Sequence, residues 1–321
     1  MLMNSTKLMF MMFLTLSTVM VYSSSSFIMS WLSMEINLIS FLPIITKSKK
    51  MKDQSMKYFI IQSLSSSMML LSIIMNFKIE TPINFENLMM MSLMMKMGMI
   101  PFHLWILSFM EKLTWMKCLL MNTIQKLSPI VIISQMINFK TTILPMVLSL
   151  FMAPISMIKV NSIKKMMTYS SIYNSPWMIS SIYISKNVFM LFFLIYSTMN
   201  FLFSKKMNEQ NIMFFNQITE KTSSSKINLM INLISMSGMP PTMGFFPKWI
   251  ILSKMNEISI LISIMMLFST IISSFIYLKI LSSILLNQST KKKFFKSMNF
   301  NETELVMNLM GTINFILFKP N

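Results

Sequence analysis

A chain of 321 residues that is 54% hydrophobic and only 12% charged, with a mean hydropathy of +0.62, has too little polar surface to clothe water-soluble domains. Its apolar runs also recur too evenly for disorder. The 28 basic residues outnumber the 10 acidic ones, but every one is Lys; Arg, which reads guanine and phosphate through a bidentate fork, is absent, which weakens a nucleic-acid reading, and no nucleic acid is expected as a partner. A single cysteine, Cys118, and a single histidine supply neither a disulfide nor a metal-ligand set, so no cofactor or redox centre is expected on the chain itself.

About 20 apolar residues are needed to cross a hydrocarbon layer. On that measure the chain is all-α, a polytopic bundle of about eleven spans forming one transmembrane domain over 1–321. The first span, about 3–23, has no small-residue cleavage site after it and is read as a permanent helix rather than a signal peptide. No Arg-rich presequence precedes it, so a mitochondrial location would imply synthesis inside the organelle. The second, about 25–45, carries Glu35 midway, and the third, about 57–77, follows a Lys-rich loop. The fourth, about 87–107, contains Lys96, Gly98, Pro101 and His103, and the fifth, about 115–137, contains Lys126 and Pro129. The sixth, seventh and eighth run over about 143–159, 167–184 and 187–205. The ninth, about 226–253, passes through Gly238, Pro240, Pro241, Gly244 and Pro247 into Lys248. The tenth, about 258–287, has Lys279 toward one end, and the eleventh covers about 303–318.

Lysine placement supports this division. Nineteen lysines fall on the N-terminal side of the alternating loops, counting Lys164 and Lys206 among them, and five on the other. By the positive-inside rule the N-terminus faces the compartment of synthesis, cytoplasm or matrix, and an odd number of spans puts the C-terminus opposite. The Lys291–Lys293 run reads as a topology anchor.

Four lysines remain inside spans: Lys96, Lys126, Lys248 and Lys279. A charge at a helix centre costs roughly 2.5–3.5 kcal/mol on insertion scales. Lys279 lies near enough to an end to snorkel to the headgroups. Lys96, Lys126 and Lys248 instead sit beside the chain's rare helix breakers, where freed backbone groups at membrane depth need protein or water to satisfy them. Ionisable side chains at broken helices point to water inside the membrane and to ion or proton transfer. A buried amine can gain or lose its proton as a nearby charge moves, and Glu35 supplies such a charge. His103 reads equally as a proton relay, since imidazole titrates near neutrality, or as a hydrogen-bonded helix-end residue. The Met89–Met95 stripe is packing or lipid contact, and Glu111 with Lys112 is a solvated pair at a loop.

Taken in order, these segments resemble a known family. They are Met34-Glu35-Ile36-Asn37 with Phe41, Lys57-Tyr58-Phe59, Lys96 to Trp105, Gln125-Lys126-Leu127-Ser128-Pro129, Tyr169-Ser170-Ser171-Ile172, and Gly238-Met239-Pro240-Pro241 continuing to Gly244-Phe245-Phe246-Pro247-Lys248-Trp249. The family is that of the antiporter-like chain 2 subunits of mitochondrial NADH:ubiquinone oxidoreductase, complex I, in the shortened animal form. The resemblance covers nearly the whole chain, and the zero-Arg, Met- and Lys-rich composition resembles the product of an invertebrate, insect-like mitochondrial gene. It implies an antiporter-like bundle in the mitochondrial inner membrane, with the N-terminus on the matrix side and the C-terminus in the intermembrane space. It implies a proton path in which Glu35 and Lys96 form a modulating pair, Lys126 passes the proton along the central axis and Lys248 exchanges it with one aqueous face. FMN, iron–sulfur clusters and ubiquinone would lie elsewhere in the complex; the partners would be other membrane-arm subunits and phospholipid, cardiolipin in particular. Two departures stand out: Tyr173-Asn174-Ser175-Pro176-Trp177 lacks the His-Gly of many relatives, which puts an axis histidine there in doubt, and Ile124 replaces a Trp. The competing readings are a secondary cation/proton antiporter subunit and a structural scaffold of the membrane arm.

Overall fold

A computed structural model describes residues 5–46, 52–77, 85–136, 139–220, 223–240 and 242–286. The eleventh expected span, 303–318, and the Lys291–Lys293 run lie outside the described residues. Every regular element among the described residues is helical, and the chain divides into two compact units, 1–149 and 150–321.

The first unit begins with α1 (Ser5–Ser23) and α2 (Phe27–Ile45), a hairpin in which Ser26 caps α2 by accepting the Met29 N–H at 3.4 Å. Next come α3 (Lys52–Phe77), α4 (Phe85–Met97), α5 (Leu104–Lys112), α6 (Trp115–Asn122) and α7 (Ile124–Gln135). The fourth expected span is therefore a broken helix, α4 and α5, and the fifth breaks at Thr123 into α6 and α7. Helix α8 (Phe139–Met157) runs across the boundary between the two units.

Among the described residues, seven stretches are long and apolar enough to cross a membrane by themselves. Their outward faces are greasy: Met12, Leu16 and Val19 of α1 are exposed. In water this would be a liability, whereas lipid is a suitable solvent for it. Serine-rich spans are tolerated because each hydroxyl folds back on its own helix. Ser17 donates to the Leu14 carbonyl at 2.8 Å, and Ser33 and Ser65 donate three residues back at 2.7 Å.

An aromatic cluster holds α2, α3 and α5 together around the α4–α5 break. The Tyr58 ring stacks on Phe109 at 5.3 Å and meets Phe41 edge-on at 5.5 Å and Trp105 at 6.2 Å. Trp31 Nε1 donates to the Ser66 carbonyl at 3.0 Å, tying α2 to α3. Lys117 Nζ donates to the Ile45 carbonyl at 3.0 Å and so satisfies an end carbonyl of α2.

The second unit contains α9 (Ile163–Ile184), α10 (Lys186–Gln210), a short 3-10 helix (Phe215–Glu220), α11 (Ser223–Ser237), α12 (Phe245–Ile258) and α13 (Ile260–Leu286). Every residue of α9 from Ser170 to Ser181 is buried, as befits a helix surrounded by others. Ser185 alone separates α9 from α10, making them antiparallel. The Ile163 N–H donating to the Met213 carbonyl at 3.1 Å joins the start of α9 to the segment after α10.

That arrangement corrects one detail of the lysine count. Lys164 and Lys206 were assigned to loops, but they lie in the first turn of α9 and near the end of α10, 5% and 4% exposed. The helices outlast the apolar windows from which span edges are read.

Candidate functional site

In the first unit, Lys96 is 9% exposed and occupies the last turn of α4. The helix stops there through a Schellman turn: the Gly98 N–H donates to Met95 O and the Met99 N–H to Met94 O, with Gly98 at φ +63. A Cβ on Gly98 would collide with the Ile106 side chain of α5, so glycine serves both the turn and the close approach. The end of a helix leaves carbonyls and a partial negative charge, a favourable setting for an amine. The charge of Glu35, half-buried on α2, is near enough to act on that of Lys96.

Lys126 is 3% exposed, one turn after the Thr123 break. Pro129, four residues after Gln125, has no N–H to offer the Gln125 carbonyl, which loosens the same turn. Gln125, Ser128 and Pro129 of α7 line a cavity of about 20 Å³ together with Asn37, Tyr58, Gln62 and Lys96. Gln62 Nε2 donates to the Lys96 carbonyl at 3.3 Å, and Tyr58 Oη donates to Gln125 Oε1 at 3.4 Å. His103 lies apart from this cavity, half-buried at the start of α5 with Nδ1 3.2 Å from the Pro101 carbonyl oxygen.

In the second unit, Lys248 is 6% exposed in the first turn of α12. Helix α11 ends at Gly238, whose φ of +78 turns the chain away and leaves the Ser237 carbonyl for the Lys248 amine, Nζ to O 3.2 Å. The amine also lies over the rings of Tyr173 and Trp177 of α9, 5.2 and 5.8 Å from their centroids. Asn174, Tyr196, Gly244 and Pro247 line a second cavity, of about 10 Å³, beside Lys248. Asn174 thus sets a carboxamide beside the cavity that Lys248 lines. Lys279 is exposed near the end of α13. Among the described residues no three His, Cys, Asp or Glu side chains gather as a metal set.

Residues 24–273 match the family described as NADH:quinone oxidoreductase/Mrp antiporter, transmembrane. The chain belongs to that family. Among members of this NADH:quinone oxidoreductase/Mrp antiporter family, it is 31% identical to NADH-ubiquinone oxidoreductase chain 2 of Locusta migratoria, over 97% of this chain and 94% of that one. It is 32% identical to the protein of the same name from Anopheles gambiae, over 96% and 92%. Its fold is that of a chain in the structure of respiratory complex I from Thermus thermophilus with bound aureothin. The TM-score there is 0.80 at 14% identity, covering 98% of this chain and 78% of that one.

Glu35, Lys96 and Lys126 thus come from neighbouring helices of one unit, and Lys248 has its own polar setting in the other. Sequence reading gave Asn37, Gln62 and Gln125 no site role because each is uncharged and costs little to insert. The available signal was helical spacing: Tyr58 and Gln62 are one turn apart on α3, and Gln125 precedes Lys126. The Tyr173 and Trp177 faces, likewise one turn apart, were unassigned because aromatic pairs at that spacing usually signify packing.

Proposed function

We propose that this chain is the antiporter-like, proton-translocating subunit of a respiratory NADH:ubiquinone oxidoreductase, coupling electron transfer on other subunits to proton movement through its own buried lysines. The observation that carries this reading is that Lys96 and Lys248 are both buried beside a glycine with positive φ that ends a helix, with the Lys248 amine held on the Ser237 carbonyl. Such a pairing serves proton exchange better than it serves packing, because a scaffold would gain by replacing each lysine with an apolar side chain.

Within this reading Glu35 sets the charge state of Lys96, Lys126 passes the proton along α7, and Lys248 exchanges it with one aqueous face. His103 is assigned the part of an entry relay. Each proton moved against 100 mV opposes about 2.3 kcal/mol, which quinone reduction elsewhere would supply through neighbouring subunits. The chain acts as one transmembrane domain of about eleven spans in the mitochondrial inner membrane, its N-terminus in the matrix and its C-terminus in the intermembrane space. FMN, iron–sulfur clusters and ubiquinone belong to other subunits of the assembly, and the apolar outer faces accept phospholipid, including cardiolipin.

The test is Lys126→Met in the intact complex reconstituted into vesicles. Assembly and NADH oxidation by a hydrophilic acceptor should persist while proton uptake falls at least about tenfold, a loss of about 1.4 kcal/mol in the rate-limiting step. Unchanged uptake would point to a scaffold. Purification without flavin and iron–sulfur proteins would favour a stand-alone cation/proton exchanger.

A further inference from the structure

The cavity beside Lys96 is small and polar, and it contains side-chain atoms with nothing to bond. Asn37 is 2% exposed, yet neither its Nδ2 nor its Oδ1 has a hydrogen-bond partner, and Gln125 Nε2 is in the same position. Both residues line the cavity with Lys96, and its volume is about 20 Å³. One water needs about 10–15 Å³ of such space and two to four polar partners. There is room for one water or at most two, and nothing larger fits. A metal cation is disfavoured by the lysine on the same wall.

We propose that Asn37, Gln125 and Lys96 form a water-binding site, and that the water held there is the partner through which the Lys96 amine exchanges its proton. Asn37 offers both a donor and an acceptor, so it fixes the orientation of the water as well as its place. The Gln125 oxygen is engaged by Tyr58, and its Nε2 donates to one lone pair of the water while Asn37 Oδ1 accepts from it, so the second lone pair is open to the Lys96 ammonium. In the exchange the Lys96 ammonium gives a proton to the water oxygen while the water passes one of its own to the next base on the path, leaving the water neutral. Asn37 and Gln125 are positioning residues; they never carry the proton. This inference rests on the proton-transfer role proposed above and adds to it a specific hydration site.

Three variants of the intact complex, each assayed for vesicle proton uptake and imaged at a resolution that shows waters, test the site. Asn37→Leu keeps the bulk and removes both amide atoms; it should empty the cavity and slow proton uptake at least about tenfold, while NADH oxidation by a hydrophilic acceptor stays normal. Asn37→Ser keeps a hydroxyl and makes room for a second water, so uptake should stay within about twofold of the parent. This variant also decides the matter if Asn37→Leu does not assemble. Lys96→Met separates the two claims. If it abolishes uptake while Asn37→Leu pumps normally, or while the parent cavity is dry in a map that shows waters elsewhere in the membrane arm, the hydration site is wrong and the proton-transfer role stands. If Asn37→Ser is as slow as Asn37→Leu with its waters in place, the role assigned to the water is likewise refuted. If Lys96→Met pumps normally, both fail.

Discussion

Replacing Gly238 by Ala should disable Lys248 without dismantling the fold. The new Cβ would stand 3.0 Å from Nζ and 3.1 Å from Cδ of Lys248, against an ordinary carbon contact of about 3.5–4.0 Å. The amine is the free end of a flexible chain, so the clash is relieved by moving it about half an ångström or more. Its bond to Ser237 O is already 3.2 Å long and would stretch beyond hydrogen-bonding range. Losing a bond made by a charged group costs about 1.5–3 kcal/mol, which corresponds to roughly a 10- to 100-fold effect on any step that needs the amine in place. Holding alanine at φ +78 adds only about 1–2 kcal/mol to the cost of folding. The assay is the initial rate of proton uptake into vesicles, normalised to flavin content so that assembly and pumping are read separately. A variant that assembles normally and pumps at the parental rate would refute the argument that the α11–α12 break exists to hold this amine.

The other glycine of that break should behave in the opposite way. A Cβ on Gly244 runs into the Ser235 carbonyl oxygen, which is backbone and cannot swing aside, so Gly244→Ala should lower the amount of assembled complex on native gels well below that of Gly238→Ala. Trp177→Leu removes one of the two aromatic faces over Lys248, worth about 0.5–2 kcal/mol; proton uptake should fall severalfold with assembly retained. Trp31→Phe deletes only the 3.0 Å bond to Ser66 O and should cost about 0.5–1.5 kcal/mol, visible as earlier thermal inactivation with an unchanged pumping rate.

The class of fold and the expensive charges were legible in the sequence because both depend on one-dimensional quantities: apolar run length, and the cost of an ion in hydrocarbon. Lys96, Lys126 and Lys248 announce themselves next to Gly and Pro, and all three are buried. What sequence could not supply is the uncharged half of the site. Asn37 and Gln125 cost little to insert and have no distinctive spacing to one another. They meet only because α2 and α7 pack around the end of α4, a tertiary fact. The edges of α9 and α10 were misjudged for a related reason. Lys164 and Lys206 depress local hydropathy, yet packing in the second unit keeps both residues helical and buried.

The two breaks each set a buried lysine beside a glycine turn, but by different routes. At the first, the lysine belongs to the helix that ends: Lys96 precedes the Schellman glycine by two residues, and the end carbonyls are taken by the Gly98 and Met99 N–H groups and by Gln62. At the second, the lysine comes from the helix that begins: Lys248 lies ten residues beyond Gly238 and reaches back to Ser237 O. In water, loose carbonyls at a helix end and a stray ammonium would each be solvated and would have no need of each other. In hydrocarbon neither is cheap alone, since a helix end leaves up to four carbonyls unserved and water is not there to take them. At the second break the glycine turn and the lysine therefore support each other, and a substitution that repairs one should harm the other. Lys126 stands outside this logic, in the first turn of α7, where surplus N–H groups rather than carbonyls surround the chain. The Lys248 and Lys126 amines thus do not share one electrostatic setting, and removing a helix break should affect the first more than the second.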